Sequence, residues 1–241
     1  PPTCTGALLA GALLGLAELS KATLLLIFPT LPVVWLLKTC AERTCQRKRI
    51  EATMLGVIVC VSLVVLNAGY GFDGVGRKLN EFQFKSDLLR GLCRDQLNPS
   101  NPLADSWIAE IPIPLPADFV QGVDAQRTDF ELKKRSYLNG EWKVGGWRHF
   151  YLQAILMKTP IGTLVLVALS TVAAIFYKKC RLSAAGEAAL LLPVLTILIV
   201  VSSHTGFSIH PRYILPILPF AFVWISRVAV LVQPQRRSWT M

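Results

Sequence analysis

Two unusual positions interrupt one apolar run of this sequence. Lys158 lies seven residues beyond Tyr151, and Pro160 follows it. If the run is helical, Lys158 lies about 10 Å deeper than Tyr151. A charge inside a membrane is costly and usually functional, and a proline there predicts a bend. We predict a functional role for Lys158. The alternative is a lysine that extends to the surface beside a packing kink.

The stretch IHPRYILPILPF, residues 209–220, contains a second group of candidate side chains. His210, Arg212 and Tyr213 come at the start of an apolar segment. The planar guanidinium of arginine suits phosphate oxygens. We predict that His210 and Arg212 bind a phosphate and that Tyr213 contacts the substrate. The alternative is an interfacial anchor. Arg227, in the same segment, is predicted to be structural or interfacial.

Lys21 and Glu18 interrupt the first apolar block. Their spacing allows an ion pair within one helix, while the alternative is a contact with the substrate. Glu141, flanked by Tyr137 and Trp142, is the carboxylate most typical of a binding site, and we predict that these three residues contact the substrate. The six cysteines form no CxxC pair and no HExxH motif occurs, so no metal site is predicted.

The elements that must position these side chains are apolar helices. The chain has 241 residues, of which 53% are hydrophobic, and a mean hydropathy of +0.48. Its apolar runs approach the roughly 20 residues that cross a hydrocarbon core of about 30 Å. We therefore predict an all-α integral membrane protein with five or six transmembrane helices and one mixed extracytoplasmic loop domain.

Charge is distributed unevenly along the chain. Residues 69–148 carry 11 basic and 11 acidic side chains, whereas the rest carry 14 basic and 4 acidic ones. Ten of those 14 fall within 38–49, 178–181 and 236–237. Basic residues mark cytoplasmic loops, so this pattern predicts that 69–148 lies on the outer face. It argues against nucleic-acid binding and indicates membrane lipids as partners.

This topology divides the chain into four parts. Residues 1–68 form transmembrane helices with a cytoplasmic basic loop at 38–50, 69–148 form the outer cap, 149–232 form three transmembrane helices, and 233–241 form a cytoplasmic tail. Residues 6–37 would be about 48 Å long as one helix. They form either one broken helix or a hairpin that turns near 18–21, and the hairpin is favoured. In the cap, residues 79–97 are predicted to be helical and 111–116 extended, because their prolines alternate.

Three stretches of this chain resemble, in order and spacing, segments of membrane glycosyltransferases of the GT-C type. They are GLAELSKATLLLIFP, GGWRHFYLQAILMKTPIG and HPRYILPILPF. The most similar members are the protein-mannosyltransferase-like and aminoarabinose-transferase-like families, which are mostly bacterial. The resemblance implies transfer of a sugar from a polyprenyl-phosphate carrier to a lipid, glycan or protein acceptor, on the outer face of the cytoplasmic membrane.

The resemblance also implies a role for each candidate residue. Lys21, Lys158, His210 and Arg212 would bind the carrier phosphate. The general base of the family is an acidic residue of an earlier outer loop, so we expect it upstream of Pro1, in a longer protein of which this chain is the C-terminal part. No cofactor is predicted for this chain, while a divalent metal is compatible with the full-length protein. Two alternatives to the enzyme are a transporter or flippase component and a non-catalytic membrane scaffold.

Overall fold

The computed structural model describes residues 3–40, 45–90, 107–132, 134–203 and 210–232. The predicted tail at 233–241, the turn at 204–209 and part of the basic loop, 41–44, lie outside the described residues. Within them the helices are α1 (Cys4–Ser20), α2 (Thr30–Cys40), α3 (Cys45–Gly69), α4 (Asp87–Arg90), α5 (Ala117–Glu131), α6 (Phe150–Lys158), α7 (Ile161–Phe176), α8 (Ala184–Ser203), α9 (Leu218–Ile225) and α10 (Ala229–Val232), and the strands are β1 (Arg135–Leu138) and β2 (Glu141–Val144).

Four helical stretches of the described residues are long and apolar enough to cross a membrane. They are Ala22–Cys40, Gln46–Gly69, Ala184–Ser203 and Pro211–Leu231. The first and last of these join α-helical turns to 3-10 turns, at Ala22–Ile27 and Pro211–Ile217. A fifth stretch, α6 with α7, qualifies if the two bent helices are one span, and α1 is a shorter apolar helix of 17 residues.

Helices α1 and α3 run parallel and in close contact. A Cβ atom on Gly11 would come within 2.7 Å of the Ile58 carbonyl oxygen, and one on Gly15 within 2.7 Å of the Ser62 carbonyl oxygen. Residue numbers rise together along both helices, so they point the same way. Small residues at a helix crossing let two backbones approach closely, which is a common packing mode in membranes.

The first apolar block is a hairpin. Leu19, near the end of α1, contacts Gly69 at the end of α3, whereas Lys38, near the end of α2, pairs with Glu51 near the start of α3. Helices α1 and α2 are therefore antiparallel, and the chain turns back at Lys21, where the backbone is extended. Of the two predicted alternatives for 6–37, the structure has the hairpin.

Residues 70–149, which we call the cap, connect α3 to α6. Their described part contains the antiparallel hairpin of β1 and β2 and the helix α5. The prolines at 111–116 keep that stretch extended as predicted, and it forms an isolated bridge between Lys78 and Pro112. We call the end of the helices that adjoins the cap the cap end, and the end near Lys38 and Glu51 the basic end.

The predicted helix over 79–97 is wrong in the part that the structure describes. Phe82 and Phe84 are both buried, their rings stack 5.5 Å apart, and the chain between them is extended. Of the described part, Leu79–Glu81 is a 3-10 turn and Asp87–Arg90 is the only α-helical stretch, and 91–106 lie outside the described residues. The alternation of apolar and polar residues in EFQFKS has a period of two, which indicates extended chain. The carboxylate of Asp124 fixes the stretch by accepting hydrogen bonds from the Lys85 and Ser86 backbone.

The predicted bend at Pro160 is a break of 110° between α6 and α7. Proline has no N–H to continue the helix, and its ring disfavours helical geometry in the preceding residue. Thr159 accordingly has φ −84° and ψ 133°, and Pro160 precedes the first residue of α7. The first of the three helices predicted over 149–232 is thus two helices with different directions.

Candidate anion-binding site at the cap end of the helices

Lys21, Arg212 and Tyr213 meet at the cap end of the helices. The Nζ atom of Lys21 donates a hydrogen bond to the backbone oxygen of Arg212. It also lies 5.9 Å from the centroid of the Tyr213 ring, and the Arg212 guanidinium carbon lies 5.3 Å from the same centroid. Two cations therefore share one aromatic ring, and both gain from its negatively charged face.

Local chain geometry brings these side chains together. Lys21 occupies the turn of the first hairpin, where α1 ends and the chain reverses. Arg212 and Tyr213 follow Pro211, which starts a 3-10 helix because its fixed φ suits a first helical position. Lys21 and Arg212 are 191 positions apart in the sequence, so they meet only because the first and last apolar helices of the chain pack together.

Tyr213 is held rigidly between the cap and the helices. Its ring centroid lies 5.0 Å from that of Phe130 in α5, and its side chain is buried. Below it lies the main core cluster of the described residues: Phe150, Tyr151, Ala154, Ile197, Val201, Ile214 and Ile217. The Arg212 Nη2 atom lies 3.4 Å from the Tyr213 hydroxyl oxygen and donates to it. The packing around Tyr213 fixes the positions of the Lys21 and Arg212 side chains.

An apolar groove of about 680 Å³ starts at Lys21. Lys21 and Ser20 are its polar members, and it follows α1 down to Ala10, which is about 16 Å of helix. The rest of its lining is apolar: Leu13, Leu14, Ala17, Leu24, Ile27, Leu31, Ile58, Leu215, Pro216, Pro219 and Phe220. The volume falls within the range of sites that bury small molecules.

A second cavity, of about 340 Å³, continues the groove toward the basic end. The two cavities share Ile27, Leu31, Ile58 and Phe220 in their linings. At its far side the second cavity reaches Lys38 and Glu51, whose Nζ and Oε1 atoms lie 2.7 Å apart. The apolar passage therefore extends from the Lys21 turn at the cap end to an ion pair at the basic end.

The electrostatics of the site favour an anion. Burial lowers the pKa of Lys21 from its ordinary value, and the positive charge of Arg212 lowers it further. The guanidinium of Arg212 is exposed, so it is open to a ligand. Two neighbouring cations repel each other, and a bound phosphate removes that repulsion while accepting charge-assisted hydrogen bonds.

The other predicted phosphate ligands are Lys158 and His210. The side chain of Lys158, the last residue of α6, is exposed and makes no hydrogen bond or ion pair with any described residue. His210 directly precedes the 3-10 helix of Arg212 and is exposed. The structure brings Lys21, Arg212 and Tyr213 together, whereas a role for Lys158 and His210 stays a prediction.

The predicted substrate contacts of the cap lie on the strand hairpin. Tyr137 and Trp142 are paired across β1 and β2, their ring centroids are 5.2 Å apart, and both side chains are exposed. Glu141 is exposed beside them, opposite Leu138. Because Leu138 packs against the core cluster that contains Tyr213, the hairpin lies next to the candidate site.

At the basic end Arg227 forms an ion pair of which the sequence predicted only one member. The Nη1 and Nη2 atoms of Arg227 lie 2.7 and 2.8 Å from the two carboxylate oxygens of Glu187, and Trp224 donates to Oε2 at 2.8 Å. This geometry agrees with the predicted structural role of Arg227. Its partner was missed, although an acidic residue in one apolar segment and a basic one in another indicate such a pairing.

Glu18 does not pair with Lys21. It is 1% exposed, and neither of its carboxylate oxygens has a hydrogen-bond partner among the described residues. The i,i+3 ion pair considered in the sequence analysis is thus absent, because Lys21 turns to Arg212 instead. Within the described residues no three His, Cys, Asp or Glu side chains are grouped as a metal site requires.

Comparison of the chain with protein-family models, curated proteins and solved structures gave no match. We therefore infer the function from the geometry of the Lys21 and Arg212 site and from the three sequence stretches described above.

Proposed function

We propose that this chain forms the carrier-binding part of a membrane glycosyltransferase. It would take a sugar from a polyprenyl-phosphate carrier and pass it to a lipid, glycan or protein acceptor. The observation that carries the proposal is Lys21, which lines one end of a long apolar groove and is bonded to the backbone of the exposed Arg212. A polyprenyl phosphate has the matching form, because it joins a phosphate anion to an extended apolar tail.

The proposed topology places this mouth on the outer face of the bacterial cytoplasmic membrane. Helix α1, the stretch Ala22–Cys40, helix α3, the broken pair α6 and α7, helix α8 and the stretch Pro211–Leu231 would be six membrane segments of alternating direction. The basic clusters at 38–49 and 178–181 then fall on the cytoplasmic side, as the positive-inside rule requires. The cap and the Lys21 turn fall on the outer side.

The proposed reaction makes use of these cations as the sugar leaves. The bond between the anomeric carbon and the phosphate oxygen breaks, and the carrier phosphate keeps the electron pair. The acceptor hydroxyl oxygen bonds to the anomeric carbon and loses its proton to a general base. The negative charge that grows on the leaving phosphate is stabilised by Lys21 and Arg212. We assign the general base to no residue of this chain.

Carrier binding tests the proposal directly. The full-length protein is purified in detergent, and retained polyprenyl phosphate is measured by native mass spectrometry. Arg212→Gln and Lys21→Gln are each expected to weaken retention about tenfold, because each removes a charge-assisted contact. The matched control is Lys178→Gln, which removes one exposed cation at the basic end. Unchanged retention in the Arg212 variant would exclude the site.

Transfer of the sugar is the second readout. With a sugar-loaded carrier and an acceptor, both variants are expected to lose transfer while they still insert into the membrane. Full transfer in both variants would remove Lys21 and Arg212 from the mechanism, whatever the binding experiment gives.

One observation favours a transporter or flippase component as a second candidate. The 110° break after Lys158 resembles the discontinuous helices that line substrate paths in transporters. That function predicts faster movement of a labelled polyprenyl phosphate between leaflets in proteoliposomes than in empty liposomes, and a slower rate after Pro160→Ala. Equal rates with and without protein would rule this candidate out.

A further inference from the structure

A second concave site lies where β2 leads into α6. It has a volume of about 370 Å³ and is separate from the groove of Lys21. Its lining consists of consecutive or nearly consecutive residues: Lys143, Gly145, Gly146, Trp147, Arg148 and His149. Three of the six are basic, and none is acidic.

The backbone turn is what makes this basic surface concave. Gly145 and Gly146 have φ values of 82° and 62°, which side-chain-bearing residues seldom adopt. Through this turn Lys143 at the end of the strand faces Trp147, and its Nζ atom lies 4.7 Å from a ring centroid of that residue. The ring of His149 lies 5.7 Å from the Trp147 ring on the same short stretch. Trp147 thus holds Lys143 and His149 around one pocket.

The charges of this pocket are not compensated within the described part of the chain. Neither Lys143 nor Arg148 forms an ion pair with a described carboxylate; the ion pairs of the cap involve other residues, such as Arg127 with Glu131 and Lys134 with Asp129. Unpaired cations that share a concave surface raise the local potential and attract an anion. Arginine and lysine are the side chains that bind phosphate most often.

Apolar side chains lie directly beyond the pocket along α6. Leu152 and Leu156 follow His149 at helical spacing, and they are 52% and 65% exposed. Residues three and four apart lie on one face of a helix. A ligand with a phosphate in the pocket would therefore extend apolar chains over Leu152 and Leu156. This order of groups matches a membrane lipid more closely than a free phosphate ion.

We propose that the pocket of Lys143, Arg148 and His149 binds the phosphate of an anionic lipid headgroup. Such a lipid would contact both the strand hairpin of the cap and the first turn of α6, and so would stabilise their relative position. The proposal does not depend on the proposed function, because it uses none of the residues that would bind the carrier.

Calorimetric titration of the purified full chain in detergent tests the site. One arm uses dihexanoyl phosphatidic acid and the other uses inorganic phosphate, each corrected for titration into protein-free micelles. The double variant Lys143→Gln with Arg148→Gln removes the two cations and keeps both side chains polar. The matched control is Lys85→Gln with Arg90→Gln, which removes two exposed cap cations outside the pocket.

Saturable binding of the lipid is expected, with affinity weakened about tenfold or more in the pocket variant and unchanged in the Lys85/Arg90 control. Binding of inorganic phosphate as tight as that of the lipid, and lost in the same variant, would confirm the phosphate site and overturn the lipid as its source. Equal weakening in the pocket and control variants, or no saturable binding in either arm, would overturn the site. The pocket variant must remain monodisperse in detergent, which excludes misfolding as the cause of weaker binding. His149→Gln, which keeps Lys143 and Arg148, is expected to weaken lipid binding, and unchanged binding would remove His149 from the site.

Discussion

The side-chain ammonium of Lys21 is bonded to the main chain of Arg212 and not to an acidic side chain. The contact joins the turn of the first hairpin to the start of the last apolar stretch, 191 positions later. Because a carbonyl oxygen accepts this bond, it does not pair the Lys21 ammonium with a carboxylate, and the Arg212 side chain stays exposed. Two positive charges thus lie near the Tyr213 ring, and Lys21 lines the apolar groove.

Filling the groove should weaken carrier binding without touching the cations. Leu14 lines the groove, so Leu14→Trp places a larger ring where the apolar tail would lie. We expect polyprenyl-phosphate retention to fall about tenfold, since overpacking costs roughly 1–3 kcal/mol. Leu16→Trp is the matched control, because Leu16 lies on the same helix, is 56% exposed and is outside the groove lining. Equal retention in both variants would argue against a tail in the groove.

Breaking the ion pair between Glu187 and Arg227 should destabilise the basic end. Arg227 is buried and its guanidinium is bonded to both oxygens of Glu187, so Glu187→Gln leaves a buried charge without its partner. The expected loss is about 3 kcal/mol in the free energy of unfolding, measured by denaturation in mixed micelles. Glu81→Gln, which breaks an exposed pair with Arg77 at 3.9 Å, should cost less than about 1 kcal/mol. Similar losses of unfolding free energy in the two variants would show that burial of the Glu187–Arg227 pair adds no stability.

A single methyl group at the crossing of α1 and α3 should separate the two helices. A Cβ atom on Gly11 would lie 2.7 Å from the Ile58 oxygen and 2.8 Å from the Val61 Cβ atom. Gly11→Ala is therefore expected to lower stability by about 1–3 kcal/mol. Gly56→Ala is the control, because no atom lies within 4 Å of its Cβ position, and there alanine should be neutral or stabilising by up to about 1 kcal/mol. A neutral Gly11→Ala would contradict the close parallel contact.

Replacing Glu18 by an apolar residue should stabilise the protein. Its carboxylate is buried and has no hydrogen-bond partner among the described residues, which is unfavourable in an apolar environment. Glu18→Met is expected to raise the unfolding free energy by about 1–3 kcal/mol. Glu51→Met is the matched variant, because Glu51 is equally buried but paired with Lys38, so stability should fall. A loss of stability in Glu18→Met would mean that the carboxylate has a favourable partner when the protein is in its membrane or detergent.

Several local features were predictable because they depend on neighbours in the sequence. The long apolar runs indicated helices able to cross a membrane, since their length and composition suffice for that inference. Pro160 indicated an interruption, although the backbone restriction it imposes does not set the angle of 110°. The cap stretch around Phe82 was mispredicted as a helix because its leucines and phenylalanines also fit a helical period, and burial on alternate residues decided otherwise.

The sequence by itself determined the kind of protein: long apolar helices, basic loops between them, and a few cations in apolar surroundings at Lys21, Lys158, Arg212 and Arg227. Only the tertiary structure decided which charges meet. Lys21 bonds to the backbone of Arg212, and Arg227 forms an ion pair with Glu187. Glu18 is buried and has no hydrogen-bond partner among the described residues. The physical reason is range: apolar periodicity is set by residues within one or two turns, whereas a charge pair depends on how helices far apart in the chain pack.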